Sequence, residues 1–470
     1  MSHLSQGSLS GPAKLKAVTG LVSKLSHDLK TGNLSPDQRD AALEELKVYG
    51  RDPSYADPIF TKEGIETLTR HAFDSSSKTT SQNALRVICN AMLLKPATRQ
   101  TFVELGCEVK ACINLKNDNR DDEFLLSRII FLTTYNTSVD LPKLIEQHEL
   151  AQTITENLSR HAARVSSKAA GKAKSNPMED MALTETLKLL FNVTRFCPDH
   201  LDSFAVVIPH IVTLLNTHDT HSTGPPLEPP FGPMINTLVN LKLDTEAAKA
   251  SLFPSSEAGG ITDRLMHFLE LSMRSYADSE LEQAVTPLVC VLSRLYEYAP
   301  EEIRQLFRSR LLPTEEDRQK VLGTGDTLAS RLLRNSTNPV APEFRKAISH
   351  LFFDMSDKDA AKFIQNVGYG FASGFLFQNN IPIPESSAPD VLGNDKRDTN
   401  PITGQFRDAE KFADMPEMTE EEKEREAERL FVLFERLKKN GLISVQNPVE
   451  QAMQSGRIEE LKDDDEEDLD

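Results

Sequence analysis

Polar side chains recur inside otherwise apolar segments of the chain, and they are the first candidates for chemistry. Asn83, Arg86 and Asn90 lie at i, i+3 and i+7; Lys188, Asn192 and Arg195 form a second set, and Asn236 and Asn240 a third. Each spacing puts its set on one face of a helix. Arg128 sits in the middle of a fourth apolar segment. Amides and guanidinium groups carry out binding rather than bond-breaking. Asn donates to and accepts from main-chain groups at once, and Arg holds a carboxylate through two parallel bonds. Stacked in register, these stripes would line a locally basic concave groove suited to a peptide or a helix end. The competing reading is that each Asn satisfies a helix end or a loop carbonyl inside the scaffold. For the set as a whole, the recurrence favours a shared role as a binding ladder.

Covalent chemistry finds no comparable support. The chain has no GxxxxGK[ST] phosphate cradle, no GxSxG and no HExxH. Residues 368–374, GYGFASG, resemble a dinucleotide fingerprint, but Ser373 stands at the third small position and no strand precedes them, so a turn or a close helix contact is expected. Cys107 and Cys112 lack a partnering Cys/His pair, and Cys197 with His200 stands alone. Neither a cofactor, a metal nor an enzymatic reaction is expected.

The elements that must carry the stripes are helices. Ser35-Pro36-Asp37-Gln38 is a capping box with Pro at the first helical position, and Gly50 marks the stop. Apolar residues at spacings of three and four predict further helices near 61–72, 81–95, 120–136, 141–160, 179–196, 231–243, 260–273, 279–298, 325–334, 341–355 and 358–377. Persuasive strand alternation is missing. The segments LRVICNAMLL, LLSRIIFLTTY, LKLLFNVTRF and MINTLVNLKL rhyme at intervals of roughly 40 to 60 residues, and LVCVLSRLYEY continues them. That period predicts an all-α armadillo/HEAT-like superhelix of stacked repeats. Residues 161–176, basic, and 217–230, Pro-rich, read as solvated loops interrupting it.

The formal charge is −18, and the last ten residues supply −6 of it. No block of Lys/Arg is present, which argues against nucleic acid and against anionic lipid as partners. The N-terminus lacks a signal-peptide core and no run approaches the roughly 20 apolar residues of a membrane span. A cytoplasmic monomer with reduced thiols is expected, recruited to the cell cortex only through its partner. The organisation reads as a disordered stretch at 1–12, a repeat domain at 13–378, an extended linker at 379–417, a helical arm at 418–456 and an acidic tail at 457–470. Thr419 caps the arm, and Ala427, Leu430, Phe431, Phe434 and Leu437 give it an apolar stripe. That stripe either docks back on the scaffold or closes on a bound partner.

The stretches ALRVICNAMLL, RIIFLTTYN, TETLKLLFNVTRF and NVGYGFASGFL, and above all MTEEEKEREAERLFVLFERLKKNGLISVQNPVE, resemble the synembryn family (resistance to inhibitors of cholinesterase), in a fungal-type member. The resemblance runs from about 80 to 450. It implies an armadillo/HEAT-like exchange factor and folding chaperone for heterotrimeric G-protein α subunits. Such a protein acts on the GDP-bound α subunit and stabilises its nucleotide-free state. Arg86, Asn90 and Asn192 match the family's inner-face helices, and Leu430, Phe431 and Phe434 match its arm helix; Arg128, Lys188, Arg195, Asn236 and Asn240 come from the stripe reading alone. Ser386 and Ser387 are a poor equivalent of the acidic phosphorylation sites of animal members. A passive armadillo-type adaptor or a chaperone without exchange activity is the alternative.

Overall fold

Short helices with explicit caps build the whole array. In the computed structural model the side chain of Ser35 accepts from the Gln38 amide while Gln38 Oε1 accepts from the Ser35 amide at 3.1 Å, so the expected capping box is formed and the helix ends at Tyr49. The side chains of Thr61, Ser77, Asn119, Asn176, Thr327 and Asp359 cap later helices by accepting from a first-turn amide. Each satisfies a donor that the first turn cannot pair internally. The structure describes residues 9–169, 176–218, 224–254, 259–382, 399–400 and 402–410, with isolated positions 419, 425, 428, 429, 431 and 432.

Eight helices form one continuous row: α1 (Pro36–Tyr49), α2 (Lys78–Leu94), α3 (Arg120–Thr133), α4 (Pro177–Phe196), α5 (Phe231–Asn240), α6 (Thr286–Tyr298), α7 (Pro342–Met355) and α8 (Tyr369–Gln378). Each packs on the next. A second layer, including Lys62–Phe73, Leu150–Ala169, Ile208–Thr217, Gly260–Ser275 and Leu328–Asn335, backs the row. No strand forms among the described residues; pairing there is confined to an isolated bridge between Thr399 and Phe406. The fold is therefore an all-α repeat array of the armadillo/HEAT type, as the rhyme predicted. Its core is distributed: fully buried Phe102, Phe204, Phe268, Phe307, Phe344 and Phe363 are spread along the chain. Contacts divide the chain into two units, Met1–Asp408 and Ala409–Asp470. No helix among the described residues is long and apolar enough to cross a membrane.

Several boundaries differ from expectation. A helix already starts at Gly11, two residues inside the stretch read as disordered, and it is held by buried Lys14, which donates to the Asp52 carbonyl at 2.8 Å. The span read as 141–160 is two helices, because Glu149 takes a left-handed φ of 57° between them. Residues 161–169, read as solvated loop, continue that second helix; the reason is His161, a buried side chain whose Nε2 lies 2.9 Å from Glu123 Oε1 on α3. Residues 170–175 lie outside the described residues. Residues 402–406, read as extended linker, bond back to the end of the repeat array and bury Phe406.

The Glu123 carboxylate also accepts from Thr186 Oγ1 on α4 at 2.7 Å, so one buried acid joins α3, α4 and the second layer. Burial pushes its carboxyl up, but the hydrogen bond and charge of His161 and the Thr186 hydroxyl outweigh this and leave it below the ordinary carboxylate value. Its stabilising effect is complete above the carboxylate range of the unfolded chain and is lost as pH falls through the lower folded value. Glu123→Gln should cost about 1–3 kcal/mol in urea unfolding at pH 7. That penalty should shrink below about pH 4, where the unfolded carboxyl is itself protonated.

Helix C-termini are closed by arginines from elsewhere in the array. Arg99 donates to Met92 O at 2.7 Å at the end of α2, Arg304 to Glu297 O at 2.7 Å at the end of α6, and Arg264 to His218 O at 2.7 Å after Ile208–Thr217. Arg294 of α6 takes three carbonyls at the end of α5, Leu238 at 2.8 Å and Val239 and Leu241 each at 2.7 Å. Arg294→Met keeps the volume and removes the donors. It should lower unfolding free energy by about 1–3 kcal/mol, and an unchanged urea midpoint would refute the role given to these staples.

Candidate functional site

Aligning the rhyming helices on their polar residues gives two recurring positions, four residues apart. The first holds Arg86 in α2, Arg128 in α3, Lys188 in α4, Asn236 in α5 and Cys290 in α6; the second holds Asn90, Leu132, Asn192, Asn240 and Arg294. Four residues is one turn, so the two positions stand one above the other on every helix.

At the first position Arg86 and Arg128 reach forward to the next helix, while Lys188 pairs within its own. Arg86 Nη2 lies 3.0 Å from Asp121 Oδ1 on α3, and its Nη1 donates to Asn83 at 3.1 Å. Arg128 Nη2 lies 2.8 Å from Glu185 Oε1 on α4, and Lys188 Nζ takes the same oxygen at 3.0 Å. Glu185 is buried, while Arg86, Arg128 and Lys188 keep about a third of their side chains exposed. Burial opposes the charge on Arg128, and its hydrogen bond to Glu185, with that residue's negative charge, overrides this and raises the guanidinium. The expectation of a locally basic groove is corrected here: these cations are matched by Asp121 and Glu185, because a half-buried cation needs a local counter-charge.

At the second position three residues, Asn192, Asn240 and Arg294, reach backward to the preceding helix. Asn192 Nδ2 donates to Thr134 Oγ1 at 2.7 Å just past α3; Asn240 Nδ2 donates to Phe191 O at 3.0 Å and to Thr194 Oγ1 at 3.3 Å in the last two turns of α4. Arg294 does the same to α5. The recurrence of Asn thus has a shared reason, and for Asn192 and Asn240 it is structural: they are seams between rungs, so the eight polar residues do not act as one ladder.

Three of the sequence-predicted residues are unspent. Asn90 and Asn236, both half-buried, and exposed Arg195 make no side-chain hydrogen bond or ion pair among the described residues. They sit on α2, α5 and α4, so they are distributed along the row instead of forming one cluster. Between α3 and α4 lies an open cavity of about 290 Å³, lined by Phe124, Arg128, Met181, Glu185, Lys188 and Pro229. The Arg128 guanidinium stacks 4.6 Å from the centre of the Phe124 ring, which forms part of the same wall. Sequence reasoning missed this apolar component. The available signal was Met181, which is in register with Glu185, Lys188, Asn192 and Arg195 at intervals of three and four, yet is 45% exposed. Leu93 and Phe196, at the ends of α2 and α4, are exposed as well. Apolar walls with a few placed polar groups suit an amphipathic peptide or helix.

Of the arm residues, Phe431 is described and is 37% exposed, next to exposed Val432. Leu430 and Phe434 lie outside the described residues. Arg425, Glu428, Arg429, Phe431 and Val432 are all helical. Burial pushes the Cys89 thiol up to about 12 and the Cys112 thiol up to about 11, which leaves both without nucleophilic character at neutral pH.

Seam residues and unspent residues should separate in one experiment. Asn192→Ala and Asn240→Ala should each lower stability by about 1 kcal/mol, whereas Asn90→Ala and Asn236→Ala should leave the urea midpoint unchanged. A clear destabilisation by Asn90→Ala would show that it, too, is committed to the scaffold.

Comparison with known proteins gives a consistent result. Residues 42–457 match the family described as guanine nucleotide exchange factor synembryn. The chain is 25% identical over 393 residues to the synembryn-like chaperone of Schizosaccharomyces pombe, covering 78% of this chain and 71% of that protein. It is 25% identical over 453 residues to the chaperone Ric-8A of Macaca fascicularis, with 87% and 83% covered, and 25% identical over 484 residues to that of Xenopus tropicalis, with 91% and 86% covered. A solved structure from work on cadherin and β-catenin superposes with a TM-score of 0.37 at 13% identity, over 75% of this chain and 82% of that one, and adds nothing to the assignment. With a family match spanning nearly the whole repeat array and the arm, the chain belongs to the synembryn family of guanine nucleotide exchange factors.

Proposed function

We propose that this protein is an exchange factor and folding chaperone for heterotrimeric G-protein α subunits, taking the α subunit's C-terminal helix along the α2–α5 face. The observation that carries the reading is the contrast on that face. Most polar groups there are spent on the scaffold, yet Asn90, Asn236 and Arg195 are not, and the same row carries a cavity between α3 and α4 walled in part by Phe124, Met181 and Pro229. Unpaired amides suit a helix end, whose last carbonyls lack partners, and Arg195 suits its carboxylate.

Exchange then follows from differential affinity. A protein that holds the nucleotide-free α subunit more tightly than the GDP-bound form drives GDP off without touching the nucleotide. Drawing the C-terminal helix into the array removes its support from the nucleotide-binding loops. Phe431 and its neighbours on the arm supply a second apolar contact with the partner. No covalent step is required of any residue.

The names of the relatives favour a second reading, a folding chaperone that binds the α subunit without driving exchange. Release of labelled GDP from a purified α subunit separates the two. Under the proposal release accelerates with concentration of this protein, and Arg195→Glu and the Asn90→Ala/Asn236→Ala double variant each slow it about tenfold, equivalent to about 1.4 kcal/mol. Arg86→Glu is a poorer probe, since it would set two acids against each other at Asp121 and disturb the seam. Binding without acceleration would withdraw exchange and leave the chaperone.

A further inference from the structure

A larger cavity, of about 550 Å³, opens at the far end of the row, beyond the helices assigned to the partner's helix. It lies between the first half of α7, the length of α8 and Ser336–Thr337, just past the Leu328–Asn335 helix. Two cations on its wall are uncommitted. Half-buried Arg345 and exposed Lys346 make no side-chain hydrogen bond or ion pair among the described residues. Cations on the flanking segments are spent: Arg331 pairs with Asp326 at 3.4 Å, Arg334 holds the carbonyls of Gly323 and Gly325, and Lys358 and Lys362 pair with Asp354 at 3.8 Å and Asp357 at 2.8 Å.

The rest of the wall shows the same division. Ser336, Thr337 and Ser349 give their hydroxyls to the carbonyls of Leu333, Arg334 and Arg345, three or four positions back. Ser373 and Gln378 on α8 make no side-chain hydrogen bond among the described residues. The apolar side is set in advance. Phe375, 7% exposed, stands edge-on to His350 with 4.9 Å between ring centres and packs on Phe353 at 5.3 Å and Phe363 at 5.7 Å, and Phe371 lies one turn away on the same wall.

Two free cations face one acid, Glu343, on this wall of a chain whose formal charge is −18. A carboxylate bound there gains a charge-assisted hydrogen bond from a guanidinium that has no partner to give up. Helix geometry then separates a peptide from a small anion. Consecutive residues leave a helix about 100° apart, so Arg345 and Lys346 do not converge on one group and instead serve two acids spaced along a chain. We infer that this cavity is a docking site for an acidic segment of a protein partner, with carboxylates on Arg345 and Lys346 and an apolar side chain against Phe371 and Phe375. The site does not depend on the α-subunit reading, because its occupant is defined by charge and shape at a different part of the row.

The test uses the full chain, no α subunit, and a short fluorescein-labelled peptide of Asp and Glu around a single Phe, followed by fluorescence anisotropy at fixed ionic strength. Arg345→Ala should weaken binding about tenfold, the loss of one charge-assisted hydrogen bond. Lys346→Glu should weaken it as well, whereas Lys24→Glu, the same change of charge at an exposed position on the Gly11–Thr31 helix, should not. Gly374→Leu probes the space itself: Gly374 lines the cavity, and a Cβ there would meet no heavy atom within 4 Å, so the new side chain obstructs the ligand and leaves both cations in place. It should also weaken binding about tenfold. The urea midpoint should not fall in any of these variants, since none of the replaced groups holds a partner. No binding of the acidic peptide, equal binding of a peptide with Asn and Gln in place of the acids, or an equal loss in Lys24→Glu overturns the inference. So does unchanged affinity in Arg345→Ala or Gly374→Leu. Displacement of the peptide by inorganic phosphate at constant ionic strength would make this a small-anion site and overturn the peptide assignment.

Discussion

Every short helix leaves its last carbonyls without intrahelical partners, and a repeat array built from such helices multiplies the problem at each rung. Here the solution is that each rung supplies donors to the end of another element. Arg294, Arg99, Arg264, Arg304 and Arg318 do so with guanidinium groups that carry several donors each, and Asn192 and Asn240 add bonds near the ends of the preceding helices of the row, partly to threonine hydroxyls. Because the carbonyl ends of helices are also the negative ends of their dipoles, a cation is the natural staple there. The seams between rungs are polar as well as apolar, and this fixes how far one rung can slide on the next.

That constraint also defines what is left over for function. Polar residues inside apolar helices are costly unless satisfied, and most of those on the row are satisfied by the scaffold. Arg86, Arg128 and Lys188 stay half-exposed but answer to Asp121 and Glu185, so their charge is already compensated before any partner arrives. Asn90, Asn236 and Arg195 are not committed, and the same row exposes Met181 and Phe196 and leaves half-buried Phe124 on a cavity wall. A partner that covers these groups gains their desolvation without having to break a seam.

At the C-terminal end the same device is turned to the chain's own continuation. Arg318 closes one helix and grips Gly404 with a single side chain, so the end of the last repeat and residues 402–406 are joined at one residue. Gly368 and Gly404 make the approach possible by lacking a Cβ. A segment rich in Pro, Asp, Asn and Ser can thus be held in part, without a helix or strand, by three main-chain bonds and one aromatic ring.

The sequence by itself determined the secondary structure class, the helix starts and the repeat. Capping residues and apolar spacing act over a few positions, so Ser35–Gln38 and the rhyme of LRVICNAMLL with LKLLFNVTRF were legible without coordinates. It also carried the family resemblance and the polar stripes. What it left undecided was the use of those stripes: Asn90 and Asn192 occupy equivalent places in nearly identical helices, yet one is unpaired and the other bonds Thr134. The difference is made by the preceding rung, which lies 58 positions away in the chain for Asn192 and is brought next to it by packing. The same holds for the helical run to Ala169, stabilised by Glu123, and for the hook at 402–406, which forms only because Arg318 and Gly370 are already in place. Long-range partners satisfy local polar groups, and only the tertiary structure decides which groups those are.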